Sequence, residues 1–203
     1  MFTGIVKHIG SIYKIEPKGT NIEFTILSDL SNELQIDESV SHQGICLTVT
    51  QCNNQFYKVT AVQETILKTT IKQWQIGDQI NLERSLKLID LMGGHMVQGH
   101  IDSTFICDHI VELEGSWIFR FQYSRKDAGL LIPQGSISIN GVSLTISKLT
   151  EEFFEVSIIP YTFYHTTFQY LKVGNQVNIE FDILGKYFIR NFELYNQNFN
   201  KFR

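Results

Sequence analysis

Alanine occurs only twice in 203 residues, against 26 Ile, 11 Val and 15 Thr. Branched side chains suit a pleated surface and lose rotamer freedom in a helix, so a mainly helical bundle is excluded. Cysteine is equally scarce. Cys46, Cys52 and Cys107 are odd in number and hold no C-x-x-C pair, so no disulfide framework is expected and a reducing, cytoplasmic setting is. Positive charge is short too: 17 Lys+Arg against 21 Asp+Glu leave a net charge of −4 with His neutral. That balance removes the broad cationic surface that binding to nucleic acid or an anionic membrane would need. No apolar run approaches the roughly 18 residues of a membrane span. The opening residues Met1 to His8 have neither a basic n-region nor an apolar h-region, so no signal peptide is expected. With 43% apolar and 19% charged residues, the composition is globular, and the length suits one large domain or two small ones.

The chain is written twice. Ser39-Val40-Ser41-His42-Gln43-Gly44-Ile45-Cys46-Leu47-Thr48-Val49 matches Ser136-Ile137-Ser138-Ile139-Asn140-Gly141-Val142-Ser143-Leu144-Thr145-Ile146 at an offset of 97, with five of eleven pairs identical. The same offset carries Phe56 to Phe153, Thr65 to Thr162, and the run Gly77–Glu83 onto Gly174–Glu180. Nearer the start the offset is 95, pairing Gly4 with Gly99 and Phe24 with Phe119, so a two-residue indel lies between. Solenoid repeats run at about 20–50 residues, so a period this long means two copies of a whole domain. The expected division is 1–90, 91–185 and a tail, 186–203. Within a copy, Ile22–Ile26, Phe56–Thr60 and Gln79–Glu83 alternate with a period of two, and only Thr65–Thr70 could hold a short helix. About six short strands per copy predict an all-β chain of two similar closed antiparallel barrels, since closure removes exposed edges.

The tail reads differently. Phe188, Phe192, Tyr195, Phe199 and Phe202 recur at spacings of 4, 3, 4 and 3, one face of a helix with Gly185 near its start. Such a stripe is too apolar to stay wet, so it either packs back on the barrels or joins copies of the chain.

A duplicated fold offers two equivalent pockets or half-pockets, which suits two similar ligands related by a pseudo-twofold axis. At matched positions the copies carry Cys46 and Ser143. A thiol is the better nucleophile, while a hydroxyl mainly exchanges hydrogen bonds. The junction Gly93-Gly94-His95-Met96-Val97-Gln98-Gly99-His100-Ile101-Asp102 has the wrong spacing for a dinucleotide fingerprint. Its histidines are five apart with no Cys or carboxylate completing a set, so no metal site is expected. Its glycines let backbone approach a ligand closely, and a histidine beside them can move protons near neutral pH.

The ordered set Met1-Phe2-Thr3-Gly4-Ile5-Val6, Gly44–Val49, Gly93-Gly94-His95 with Gly99-His100-Ile101, and Gly141–Thr145 resembles the riboflavin synthases of the alpha-chain type, with two lumazine-binding repeats. The resemblance covers residues 1 to about 183. It implies two six-stranded Greek-key barrels and a C-terminal helix that drives a homotrimer. It also implies a dismutation of two 6,7-dimethyl-8-ribityllumazine molecules, in which one donates a four-carbon unit to the other. The products are riboflavin and 5-amino-6-(D-ribitylamino)uracil, with no cofactor, and an association with lumazine synthase is left open.

Carried over, the resemblance assigns one pocket to Gly4, Ile5, Val6, Cys46, Leu47, Thr48 and the stretch Thr60, Ala61, Val62, Gln63, Glu64, Thr65. It assigns the other to Gly99, His100, Ile101, Gln134, Ser143, Leu144, Thr145 and the stretch Ser157, Ile158, Ile159, Pro160, Tyr161, Thr162. Cys46, His100 and Ser143 are the expected catalytic residues: His100 moves protons, Cys46 or a water adds to the acceptor ring, and Ser143 holds the second molecule. The chain departs from the family in the second copy, with Gln134 in place of a usual Lys, Asn140 of Asp, and Tyr161 of Glu. A non-catalytic lumazine- or flavin-binding protein is the alternative.

Overall fold

The structure, a computed structural model, describes residues 1–201, with side chains through Gln197. It holds two closed six-stranded antiparallel barrels. The first is built from β1 (His8–Lys18), β2 (Asn21–Leu27), β3 (Ser39–His42), β4 (Ile45–Cys52), β5 (Phe56–Ala61) and β6 (Gln79–Arg84), in the order β1-β2-β5-β4-β3-β6. The second uses β7 (Ser103–Leu113), β8 (Ser116–Gln122), β9 (Ser136–Ile139), β10 (Val142–Leu149), β11 (Phe153–Ile158) and β12 (Gln176–Phe181), with the same neighbours. After β5 and β11 come short helices, α1 (Gln63–Lys68) and α2 (Pro160–His165). Helix α3 (Ile183–Lys201) follows β12.

Alternation decides which side chains fill each barrel. Along β4, Ile45, Leu47 and Val49 are buried while Cys46 is half-buried and Thr48 exposed. The first core collects Ile12, Phe24, Ile26, Val40, Tyr57, Val59 and Leu82; the second is richer in aromatics, with Phe105, Phe119, Phe121, Phe154 and Phe181. A six-stranded barrel must bend its strands sharply, and both copies do so with bulges at matched places. The register shifts at Tyr13 and Asp108, and again at Thr50 and Ser147. The Thr50 and Ser147 hydroxyls donate to the carbonyls of Lys58 and Glu155 across the bend. The offset grows from 95 at Leu27/Gln122 to 97 at Ser39/Ser136, so the two extra residues lie in the connection from β8 to β9.

Matched residues meet one another, as a twofold axis requires. Phe2 and Val97 pair as an antiparallel bridge, with N–H···O distances of 2.7 and 3.0 Å. The turns between β3 and β4 and between β9 and β10 abut at Gly44 and Gly141. Both turns carry two positive φ angles, Gln43 at 50° and Gly44 at 83°, Asn140 at 48° and Gly141 at 78°. These are the type I′ turns whose twist suits a two-residue hairpin.

Helix α3 is capped by Asp182, whose carboxylate accepts from the Leu184 amide at 3.0 Å. Ile189 faces Gly129 in the turn Arg125–Leu130. Phe188, Phe192 and Tyr195 point away and are 60–75% exposed, so this part of the stripe does not pack back on the barrels. The Phe199 side chain and Phe202 lie outside the described residues. Among the described residues no helix is long and apolar enough to cross a membrane.

Candidate functional site

Two short straps, around Gly4 and Gly99, cross between the barrels. Each is anchored by a buried glutamate at the end of its own barrel's last strand. Glu83 accepts from the amides of Thr3 (2.7 Å) and Gly4 (2.9 Å) and from the Thr3 hydroxyl (2.7 Å). Glu180, 97 positions later, accepts from the amides of Gln98 (2.6 Å), Gly99 (2.8 Å) and His100 (3.0 Å). Burial pushes both carboxyls above the usual range, and the donated hydrogen bonds pull the other way.

So anchored, each strap lies on the hairpin of the opposite barrel. The Ser143 amide donates to Gly4 O at 2.8 Å, and the Cys46 amide donates to Gly99 O at 2.9 Å. The approach is too tight for any side chain: a Cβ on Gly4 would overlap Ser143, and one on Gly99 would overlap Cys46. Both glycines also sit at positive φ, 75° and 84°. The family resemblance groups Gly4, Ile5 and Val6 with Cys46, and Gly99, His100 and Ile101 with Ser143. The structure exchanges them. A pseudo-twofold pair can swap equivalent arms without altering the repeat pattern, and here it does.

The faces so formed are on the outside of the barrels, whose interiors are packed. On the first, Cys46 is half-buried beside exposed Thr48 on β4, half-buried Thr60 lies on β5, and Val62, Gln63 and Glu64 lead exposed into α1 with Thr65. Leu47 and Ala61 point inward to the core. On the second, Ser143 and Leu144 are half-buried and Thr145 and Ser157 exposed; Ile158 belongs to the core. Ile159, Pro160 and Tyr161 are exposed at the start of α2, with Thr162 half-buried. Gln134 is exposed at φ 63°, its amide donating to Ile146 O at 3.1 Å. One pair exchanges chemistry between copies. Glu64 and Lys68 form an ion pair along α1 at 2.7 Å, and their counterparts Tyr161 and His165 stack with centroids 4.1 Å apart.

The three expected catalytic residues do not converge in one place. Cys46 shares its face with the strap of His100, whose ring is exposed and whose amide is held by Glu180. Ser143 is on the other face, and its partner is His95. His95 Nδ1 lies 2.7 Å from Ser143 Oγ, and the His95 amide donates to Thr3 O at 3.1 Å. Burial pushes the His95 ring below its usual value, opposed by the negative charge of Asp182. Its Nε2 is buried and has no hydrogen-bond partner among the described residues. A neutral imidazole with one nitrogen on a hydroxyl and the other unsatisfied can take or return a proton. His95 lies in the glycine-rich junction that the residue order marks out, but nothing in that order places its ring against Ser143. Cys107, buried in the second barrel, is inert: burial pushes its thiol up to about 11.

Fold and faces together define a two-barrel protein with a duplicated ligand surface. The family model "Lumazine binding domain" matches residues 3–85 and again 98–182. The riboflavin synthase of Bacillus subtilis is 35% identical over 199 residues, spanning 98% of this chain and 93% of that protein. That of Buchnera aphidicola subsp. Schizaphis graminum is 40% identical over 187 residues, 90% of this chain and 89% of that one. Among solved structures, LumP complexed with 6,7-dimethyl-8-(1'-D-ribityl) lumazine superposes with a TM-score of 0.80 at 24% identity, covering 89% of this chain and 98% of LumP. The chain belongs to the riboflavin synthase family.

Proposed function

We propose that the chain catalyses the dismutation of two 6,7-dimethyl-8-ribityllumazine molecules to riboflavin and 5-amino-6-(D-ribitylamino)uracil. One observation carries this reading: a duplicated outer face with different chemistry at the matched position, Cys46 in one copy and Ser143 in the other. Two identical ligands entering such faces meet different groups, which a reaction between donor and acceptor needs. In this reading one lumazine binds Cys46, Leu47, Thr48, the Thr60–Thr65 stretch and the strap Gly99–Ile101. Its partner binds Ser143, Leu144, Thr145, the Ser157–Thr162 stretch, Gln134 and the strap Gly4–Val6. Strap amides and carbonyls read the ring edge, and the Thr and Ser hydroxyls reach the ribityl chains.

The 7-methyl of bound lumazine is an acidic carbon, so the chemistry needs a base beside it. His95 and Ser143 supply that proton path on one face, and His100 and Cys46 serve the other ring. Holding two rings stacked in a dry cleft contributes through orientation. Both faces are open in a single chain, so a second chain must cover them. The exposed Phe188, Phe192 and Tyr195 on α3 support a homotrimer as the assembly that does so. A cytoplasmic setting accords with the unpaired thiols, and association with lumazine synthase is tested by co-sedimentation of the two proteins.

The deciding measurement is incubation with the lumazine alone, following riboflavin absorbance and fluorescence. Riboflavin accumulating at half the rate of lumazine loss is the expected result. Stoichiometric binding without turnover would overturn the reading.

A further inference from the structure

The two straps are anchored by equivalent glutamates, but the cation beside each glutamate comes from a different part of the chain. In the first copy Lys7, on the strap itself, is the positive charge acting on Glu83. At an offset of 95 its counterpart is Asp102, so the second strap carries the opposite charge there. The missing cation is supplied by Lys186, in the second turn of α3. Its Nζ lies 2.6 Å from Asp102 Oδ2, and the two side chains are only 22% and 26% exposed. The same Asp102 oxygen accepts from the Phe181 amide at 2.9 Å, which fixes the carboxylate at the end of β12. Lys186 also acts through space on Glu180, drawing its carboxyl down against the upward push of burial.

The offset of 97 takes Lys186 back to Ile89, in the linker between barrels, where the first copy has no helix. The contact is therefore an addition to the duplicated plan. A half-buried Lys–Asp pair that also engages a backbone amide holds geometry far better than a surface pair does. Its place is telling: Asp102 directly follows Gly99-His100-Ile101, the strap that lies on Cys46.

We propose that Lys186 is a positioning residue that ties the C-terminal helix to the strap Gln98–Asp102 and so sets Gly99, His100 and Ile101 against Cys46. The helix that presents the exposed aromatic face then also aligns one of the two ligand faces, so assembly and site geometry share one element. The inference rests on the proposed reaction for its kinetic consequence, but the strap contact itself can be read without any substrate.

The experiment compares the full-length protein with Lys186→Met, Lys186→Arg, Asp102→Asn and the charge exchange Asp102→Lys/Lys186→Asp. Three quantities are measured: amide hydrogen exchange of residues 98–102 without ligand, the mass in solution, and kcat and KM for lumazine. Lys186→Met and Asp102→Asn are each expected to speed exchange at Gly99 and His100 by roughly tenfold while the mass is unchanged. Each should lower kcat by about tenfold with KM moving less, the mark of lost alignment. Lys186→Arg should restore most of both; the charge exchange should restore less, because a lysine at position 102 cannot accept from the Phe181 amide. Wild-type exchange at the strap in both single variants would overturn the proposal. So would a loss of kcat that leaves strap exchange unchanged, or one that neither restoring variant repairs. Should Lys186→Met fail to fold, Asp102→Asn is read by the same criteria. If the wild-type chain itself makes no riboflavin, the proposed reaction fails while strap exchange still decides this inference.

Discussion

Asn81 and Asn178 stand 97 positions apart and each reaches into the other's barrel to make the same two hydrogen bonds. Asn81 donates from Nδ2 to Asn140 O at 2.9 Å and accepts at Oδ1 from the Thr167 amide at 2.8 Å. Asn178 donates to Gln43 O at 2.9 Å and accepts from the Thr70 amide at 2.8 Å. Both side chains are essentially fully buried. Asn81→Ala strands an amide and a carbonyl at the inter-barrel contact and is expected to cost about 2–4 kcal/mol. Asn81→Ala/Asn178→Ala should cost less than the sum of the singles, because both cut one interface. Denaturant unfolding of the three variants checks this.

The first barrel holds a buried polar pair that the second lacks. His42 Nδ1 lies 2.9 Å from Val40 O, and its Nε2 is 2.8 Å from the Tyr57 hydroxyl. Their counterparts at an offset of 97 are Ile139 and Phe154, both fully buried. Burial pushes His42 from 6.5 to about 4. Its folded value is depressed, so its contribution to stability is complete above pH 6.5 and is lost as pH falls towards 4, where only the unfolded chain takes up the proton. The full loss is of the order of 3 kcal/mol. Tyr57→Phe or His42→Ile alone leaves one buried polar atom unpaired and should destabilise by about 1–3 kcal/mol. The double variant His42→Ile/Tyr57→Phe copies the second barrel, should recover most of that loss, and should flatten the fall in stability between pH 6.5 and 4. Thermal unfolding across that range decides it.

Much of this molecule was legible from the residue order. The constant offset between Gly44–Val49 and Gly141–Ile146 announced two equal domains, and the alternation of Ile45, Leu47 and Val49 with Cys46 and Thr48 announced which side of β4 faces out. The short helix expected over Thr65–Thr70 falls at Gln63–Lys68, followed by a 3-10 turn over Thr70–Gln73. The crossing of the straps was not legible. Gly4 could rest on Cys46 or on Ser143 with the same repeat pattern, and only tertiary packing distinguishes the two. Nor was the pairing of His95 with Ser143, since the two lie 48 positions apart and meet only through tertiary packing. The residues that carry differences between equivalent sites are the ones a repeat leaves unspecified.

Glu83 and Glu180 should be indispensable to the straps for a reason of valence. Each carboxylate receives three donors on two oxygens, whereas a glutamine offers one acceptor oxygen and turns an N–H towards another N–H. Glu83→Gln is therefore expected to loosen the Gly4 strap over Ser143, and Glu180→Gln the Gly99 strap over Cys46. Each should cost roughly 10- to 100-fold in kcat/KM, through geometry rather than charge. Amide exchange separates the two effects: Glu83→Gln should deprotect Thr3, Gly4 and the Ser143 amide that donates to Gly4 O, and Glu180→Gln should deprotect Gln98, Gly99, His100 and the Cys46 amide that donates to Gly99 O. Protection lost from both straps in either variant would show that the straps are one unit.

His95 and Ser143 should behave as one functional group. Their 2.7 Å contact means that removing either leaves the other without its partner, so His95→Gln and Ser143→Ala should each lower kcat by about 100-fold. The double variant should be little worse than the poorer single, whereas independent groups would multiply their losses. The His95 ring is held below 6.5, so it stays neutral, and able to accept a proton, to a lower pH than an ordinary histidine. Turnover should therefore fall only below pH 6.5 on the acid side, and His95→Gln should abolish that limb of the profile. On the opposite face, Cys46→Ser and His100→Gln are each expected to reduce turnover. Near-normal rates in both would remove the chemical role from that face and leave it to hold one lumazine while His95 and Ser143 act on the other.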